Sequence, residues 1–91
     1  MSVQNIEKQV LRIMEDILEL DAGSIKLEQT FDELEIDSIL FIRLVVQSET
    51  EFNIQFEDEM LLITKFPDVD TFAKYIQARF EAAADDSANA E

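Results

Sequence analysis

Apolar residues recur along this chain with the period of an α-helix, and no strand-like alternation of convincing length interrupts them. From Val3 the stripe Ile6, Val10, Ile13, Ile17 runs with Leu11, Met14 and Leu18 beside it, which predicts a helix over about 3–19 with Ser2 as its cap. Asp37 then precedes an apolar stretch, Ser38 to about Phe52, and is placed to cap a second helix. Near the end, Val69, Phe72, Ala73, Ile76 and Phe80 form a third stripe, predicting a helix from Asp68 to about Glu81. Between these, Met60, Leu61, Leu62 and Ile63 read as a helix of one or two turns, ended at the residue before Pro67. The predicted architecture is all-α: a small four-helix bundle of three longer helices and one short third helix, with a long first loop.

That loop, 20–36, contains the only glycine, Gly23, and isolated apolar residues Ile25, Leu27, Phe31 and Leu34 that pin it to the core. Structureless connections of this length in small domains are more often functional than accidental. Phe52 to Phe56 alternates over five residues and is read as an extended approach to the third helix. The expected domain is 1–81, followed by an Ala-rich acidic tail, 82–91, that lacks a stripe and is expected to be disordered. The expected core is Ile6, Val10, Ile13, Ile17, Phe31, Leu34, Leu44, Val45, Phe52, Ile54, Phe72 and Ile76. Phe41 reads equally as core or surface. Of Met60, Leu61 and Leu62, at least one should pack inward.

Charge excludes several partners. Seven Lys and Arg against 21 Asp and Glu leave a net charge of −14, so nucleic acid gains no counterion release here and an anionic membrane is repelled. Partners with basic patches are favoured instead. Cys and His are both absent, which closes the ordinary routes to covalent catalysis and leaves no customary metal pair. No catalytic residue and no metal site is expected. The acidic pairs Asp68 with Asp70 and Asp85 with Asp86 lack the ligand spacing of a calcium loop and read as solvated surface. The start lacks the basic and apolar regions of a signal peptide, and no apolar run approaches a membrane span, so a cytoplasmic monomer is the expectation.

The second helix carries more apolar surface than one buried face needs. Every residue from Ile39 to Val46 is apolar except Arg43, so part of that stretch should be exposed.

The run Thr30-Phe31-Asp32-Glu33-Leu34-Glu35-Ile36-Asp37-Ser38-Ile39 resembles the segment around the attachment serine of acyl and peptidyl carrier proteins. The likeness continues through Ile42, Leu44, Val45, Glu49, Glu51, Phe52, Ile54, Phe56, Asp58 and Glu59 to Pro67, Val69, Phe72, Tyr75 and Ile76, covering about 3–81. It implies a discrete carrier that holds acyl or aminoacyl intermediates as thioesters on a 4'-phosphopantetheine arm, transferred from coenzyme A to Ser38, with Asp37 capping the helix beside it. It also implies a phosphopantetheinyl transferase, a loading enzyme and a downstream transferase or synthase as partners. These would read a surface made of Ile39, Leu40, Arg43, Glu33, Glu35 and Glu49.

Two positions depart from the family's pattern. Glu35 stands where the family usually has Gly, and Leu40 and Arg43 replace an acidic pair. Asp-Ser-Ile with Arg43 looks closer to peptidyl carriers and the strong acidity closer to acyl carriers, so the cargo class stays open, with Leu40 and Arg43 pointing toward amino-acid or polyketide-type cargo rather than general fatty-acid synthesis. A different class of function, an acidic helical interaction module without any prosthetic group, is distinguished by whether the chain accepts phosphopantetheine from coenzyme A.

Overall fold

A computed structural model describes the backbone of residues 3–89 and the side chains of residues 6–83. Three α-helices are present: α1 (Val3–Leu18), α2 (Ser38–Phe52) and α3 (Val69–Asn89). Helix α1 packs against both others, so the molecule is the small all-α bundle that the periodicity predicts. The Ser2 cap lies outside the described residues.

Two boundaries differ from the sequence reading. The short third helix is a pair of 3-10 turns, Asp58–Met60 and Ile63–Lys65, separated by extended backbone at Leu62. Each is closed by i to i−3 bonds, such as Met60 N–H to Glu57 C=O at 2.8 Å and Lys65 N–H to Leu62 C=O at 3.0 Å. A segment this short gains too few bonds to offset helix nucleation, and the burial of Phe66 fixes its path instead. Helix α3, in turn, continues past Glu81 to Asn89. The missing stripe removes the packing face there, but the run Ala82 to Ala84 has the highest intrinsic helix propensity.

The long loop is structured by side chains that bond the backbone. Thr30 Oγ1 accepts from Glu33 N–H at 3.0 Å while Glu33 Oε1 accepts from Thr30 N–H at 2.8 Å, a capping box around a single turn. That turn closes through Glu35, at φ 57°, with Ile36 N–H reaching Phe31 C=O at 3.0 Å. The same left-handed closure ends α1 at Glu19 and α2 at Asn53, with Leu20 N–H on Glu15 C=O and Ile54 N–H on Glu49 C=O. Glu15, buried despite its charge, accepts from Gly23 N–H at 2.8 Å and so ties the loop back onto α1. At the other end, Val69 and Asp70 donate to Gln29 and Leu27 carbonyls, so loop backbone satisfies two N–H groups at the start of α3.

The core is aromatic at its centre. Phe31, Phe41, Phe56, Phe66 and Phe72 meet with ring centroids 5.4 to 6.2 Å apart, and Phe56 and Phe66 also pack on Tyr75. Ten of the twelve expected core residues are buried, whereas Ile17 and Leu34 are half-buried. Met14, Ile25, Ile36, Phe41, Phe56, Phe66, Val69 and Ala73 complete the core. Met60 and Leu61 lie half-buried against it, while Leu62 is exposed.

Candidate functional site

Ser38 is the first residue of α2, and the chain reaches it through Asp37 in extended conformation, φ −93° and ψ −178°. Asp37 Oδ1 accepts from Leu40 N–H at 2.8 Å and its carbonyl accepts from Phe41 N–H at 2.8 Å, which makes it the N-cap that the sequence predicts. The cap leaves the N–H groups of Ser38 and Ile39 as the leading donors of the helix, where an anion is favoured by the aligned peptide dipoles. The Ser38 side chain is exposed.

Beside it lies an open cleft of about 390 Å³, lined by residues of three segments that include Phe31 and Ile36 from the loop, Asp37 and Ser38 at the helix start, and Ile63 and Pro67 across the gap. The one-turn capping box around Thr30 and the second 3-10 turn, Ile63–Lys65, contribute residues on either side of it. Apolar groups line part of the cleft and a free hydroxyl sits at its edge. That arrangement suits a long, flexible substituent with an anionic link at the helix end.

The other expected surface residues divide into two groups. Ile39 is 73% exposed, and Arg43 and Glu35 are exposed as well. Leu40, in contrast, packs half-buried against the core, because it lies about 100° round the helix from Ile39 and toward Leu44. Glu33 is exposed, but its carboxylate is engaged in the capping box. Glu49 is half-buried, and its Oε2 accepts from Phe56 N–H at 2.9 Å, holding the chain after α2 in place. Glu35 occupies a left-handed conformation that glycine adopts without cost, which accounts physically for a glycine preference at that position.

Two further apolar residues of α2 that the sequence reading did not place with these are exposed. Ile42 is 43% and Val46 55% exposed, and with Ile39 they form a row along the solvent side of α2. Their i, i+3, i+7 spacing was available from the sequence once the buried face of α2 was known to be Phe41, Leu44, Val45, Ser48 and Phe52.

Residues 8–76 match a protein family described as "Phosphopantetheine attachment site". The chain is 40% identical over 52 residues to an acyl carrier protein of Streptococcus thermophilus, an alignment covering 57% of this chain and 70% of that one. It is 32% identical over 60 residues to an acyl carrier protein of Tropheryma whipplei, covering 65% and 73%. Its structure is similar to the crystal structure of an acyl carrier protein from Thermotoga maritima, with a TM-score of 0.73, 28% identity and coverage of 89% and 93%.

Proposed function

The chain belongs to the phosphopantetheine attachment-site family, and from that premise we propose that it carries acyl or aminoacyl groups between enzymes on an arm joined to Ser38. The family's prosthetic group, covalent 4'-phosphopantetheine, is that of this chain too; its attachment to Ser38 is the part we infer. The observation that carries the assignment is the state of the serines within the matched residues. Ser48 is buried, and the Ser24 hydroxyl is donated to the Asp21 carbonyl. Ser38 alone is exposed at a helix start behind a capping Asp.

Each residue has a simple part. Ser38 Oγ would form the new bond to the phosphorus next to pantetheine as the pyrophosphate bond of coenzyme A breaks, with adenosine 3',5'-bisphosphate leaving and the hydroxyl proton passing to a base of the transferase. Asp37 holds the first turn of α2 so that the leading N–H groups face the resulting phosphodiester. The bound arm supplies a thiol, absent from a chain without Cys, on which a thioester is carried. Asp-Ser-Ile with Arg43 supports aminoacyl or polyketide-type cargo, whereas the acidic charge and the relatives' names support acyl cargo. Leu40, half-buried, lends the first alternative less support than its sequence position suggests.

The test is intact mass after incubation with coenzyme A and a broad-specificity phosphopantetheinyl transferase. A gain of one phosphopantetheine is expected for the natural chain and none for Ser38→Ala. A gain in the alanine variant refutes Ser38 as the attachment point. No gain in the natural chain favours the interaction module without a prosthetic group. Exchange of the modified chain with an acyl-loading and an aminoacyl-loading enzyme, read by the same mass measurement, then decides the cargo.

A further inference from the structure

We infer that the cargo of this carrier is short or polar and is held outside the fold; the inference rests on the assignment of Ser38 above and names the class of group that the arm bears. A thioester on an arm at Ser38 can find shelter from water in two places, the cleft beside the serine and the interior behind it. Aromatic rings fill the second. Phe31, which lines the cleft, meets Phe41 at 6.1 Å and Phe72 at 5.6 Å, Phe72 meets Phe66 at 5.4 Å, and Phe66 meets Phe41 at 5.7 Å. These four rings come from the long loop, α2, the segment before α3 and α3 itself, and none is more than 3% exposed. Protein interiors are packed as tightly as organic crystals, and methylenes driven into one force side chains out of their rotamers. Because the four rings close on one another, an alkyl chain that displaced one would disturb them all.

The cleft is small for what it must hold. Sites that enclose a drug-sized ligand run from about 300 to 1,000 Å³, and this one, at about 390 Å³, is open to solvent. A phosphopantetheine arm is itself a ligand of that size, so the cleft has little apolar shelter left for whatever the thiol carries. Its lining also mixes Ile36 and Ile63 with the exposed Asp32 and Thr64. Methylenes laid against the Asp32 carboxylate strip water from a charge and put nothing in its place. A hydroxyl, amide or ammonium group on the cargo makes a polar contact there instead. Length is therefore penalised at this site and polarity is not.

The test uses the full chain, loaded by a broad-specificity phosphopantetheinyl transferase from acetyl-, butyryl-, octanoyl- and dodecanoyl-coenzyme A, with loading verified by intact mass. Each loaded chain is melted and, separately, treated with hydroxylamine, whose nitrogen attacks the thioester carbonyl and frees the thiol as the carbon–sulfur bond breaks. The melting temperature is expected to stay within about 2 °C from acetyl to dodecanoyl, because a group that does not bind the folded state adds nothing to its stability. Cleavage of the octanoyl form is expected within about twofold of that of free octanoyl-coenzyme A, since an exposed group gains no protection from the fold. A melting temperature that climbs by more than about 5 °C with chain length, or protection of the octanoyl thioester by more than about tenfold, shows that the fold takes the alkyl chain in. Either result overturns the inference while leaving Ser38 standing. No mass gain from any of the four donors overturns the Ser38 assignment and this inference with it.

Discussion

Helices α1 and α2 are nearly equal in length, 16 and 15 residues, and both bury a continuous apolar face, yet their outward faces are unlike. Helix α1 turns Lys8, Arg12 and Asp16 to solvent, whereas α2 turns out Ile39, Ile42 and Val46. Folding accounts for α1: its apolar stripe packs inward, most of its charges face out, and the buried Glu15 holds the loop at Gly23. It accounts only for half of α2, since exposed apolar side chains contribute little to stability. What the surplus teaches is that burial alone explains the pattern of α1 and does not explain the exposed apolar row of α2.

If so, the buried faces should be equivalent and large in effect. Phe41→Ala removes a ring that meets Phe31, Phe66 and Phe72 and should cost about 3–5 kcal/mol, with Met14→Ala on α1 in the range of about 2–5 kcal/mol. Urea unfolding checks both. Against a total of roughly 5–15 kcal/mol for a domain, either variant lies near the edge of folding. A loss below about 1 kcal/mol at Phe41 breaks the comparison, because α2 would then not share the core.

Smaller effects come from the helix starts. Asp37→Ala should cost about 1 kcal/mol through loss of the cap on α2. Asp68 plays the same part for α3, accepting from Thr71 Oγ1 at 2.7 Å and Thr71 N–H at 2.8 Å, and these bonds hold its carboxyl below the usual value of 3.8. A carboxylate with a lowered folded pKa stabilises above the unfolded value and loses that contribution as pH falls through the folded one. The stability gap between the natural chain and Asp68→Ala should therefore be constant above about pH 5 and shrink as pH falls below about 4. A gap that widens with acid contradicts the cap. On the buried face of α2, the Ser48 hydroxyl has no hydrogen-bond partner among the described residues, and Ser48→Ala should raise stability by about 0.5–1 kcal/mol through relieved desolvation and better helix propensity.

The contrast between the helices also explains what was legible in the sequence. The stripes of α1 and α3 were readable because each of those helices presents a polar outer face against which the apolar period stands out. The Asp37 cap was readable because a cap is a local signal. Phe56 and Phe66 were not, since they lie in irregular segments where burial is decided by the tertiary fold alone. The tie between Glu15 and Gly23 spans eight residues and carries no local signature. The Thr30 to Glu33 capping box does carry one, a Thr followed three residues later by Glu, and the exposed Glu33 carboxylate is engaged in it.

The smallest effect is also the sharpest test of why α2 differs. Lys8→Leu with Arg12→Leu gives α1 an apolar outer row like that of α2, at two exposed positions one turn apart and with helix propensity nearly unchanged. Stability should move by no more than about 0.5 kcal/mol, as for most surface substitutions. The KM for transferase modification at Ser38 should not move either, because the new row does not begin beside that serine. An unchanged KM then means that apolar surface placed on α1 does not by itself aid modification. A transferase that binds the α1 variant several-fold more tightly would show the opposite: that exposed apolar area anywhere on this acidic chain serves to dock it, and that the difference between the two helices is one of composition rather than of place.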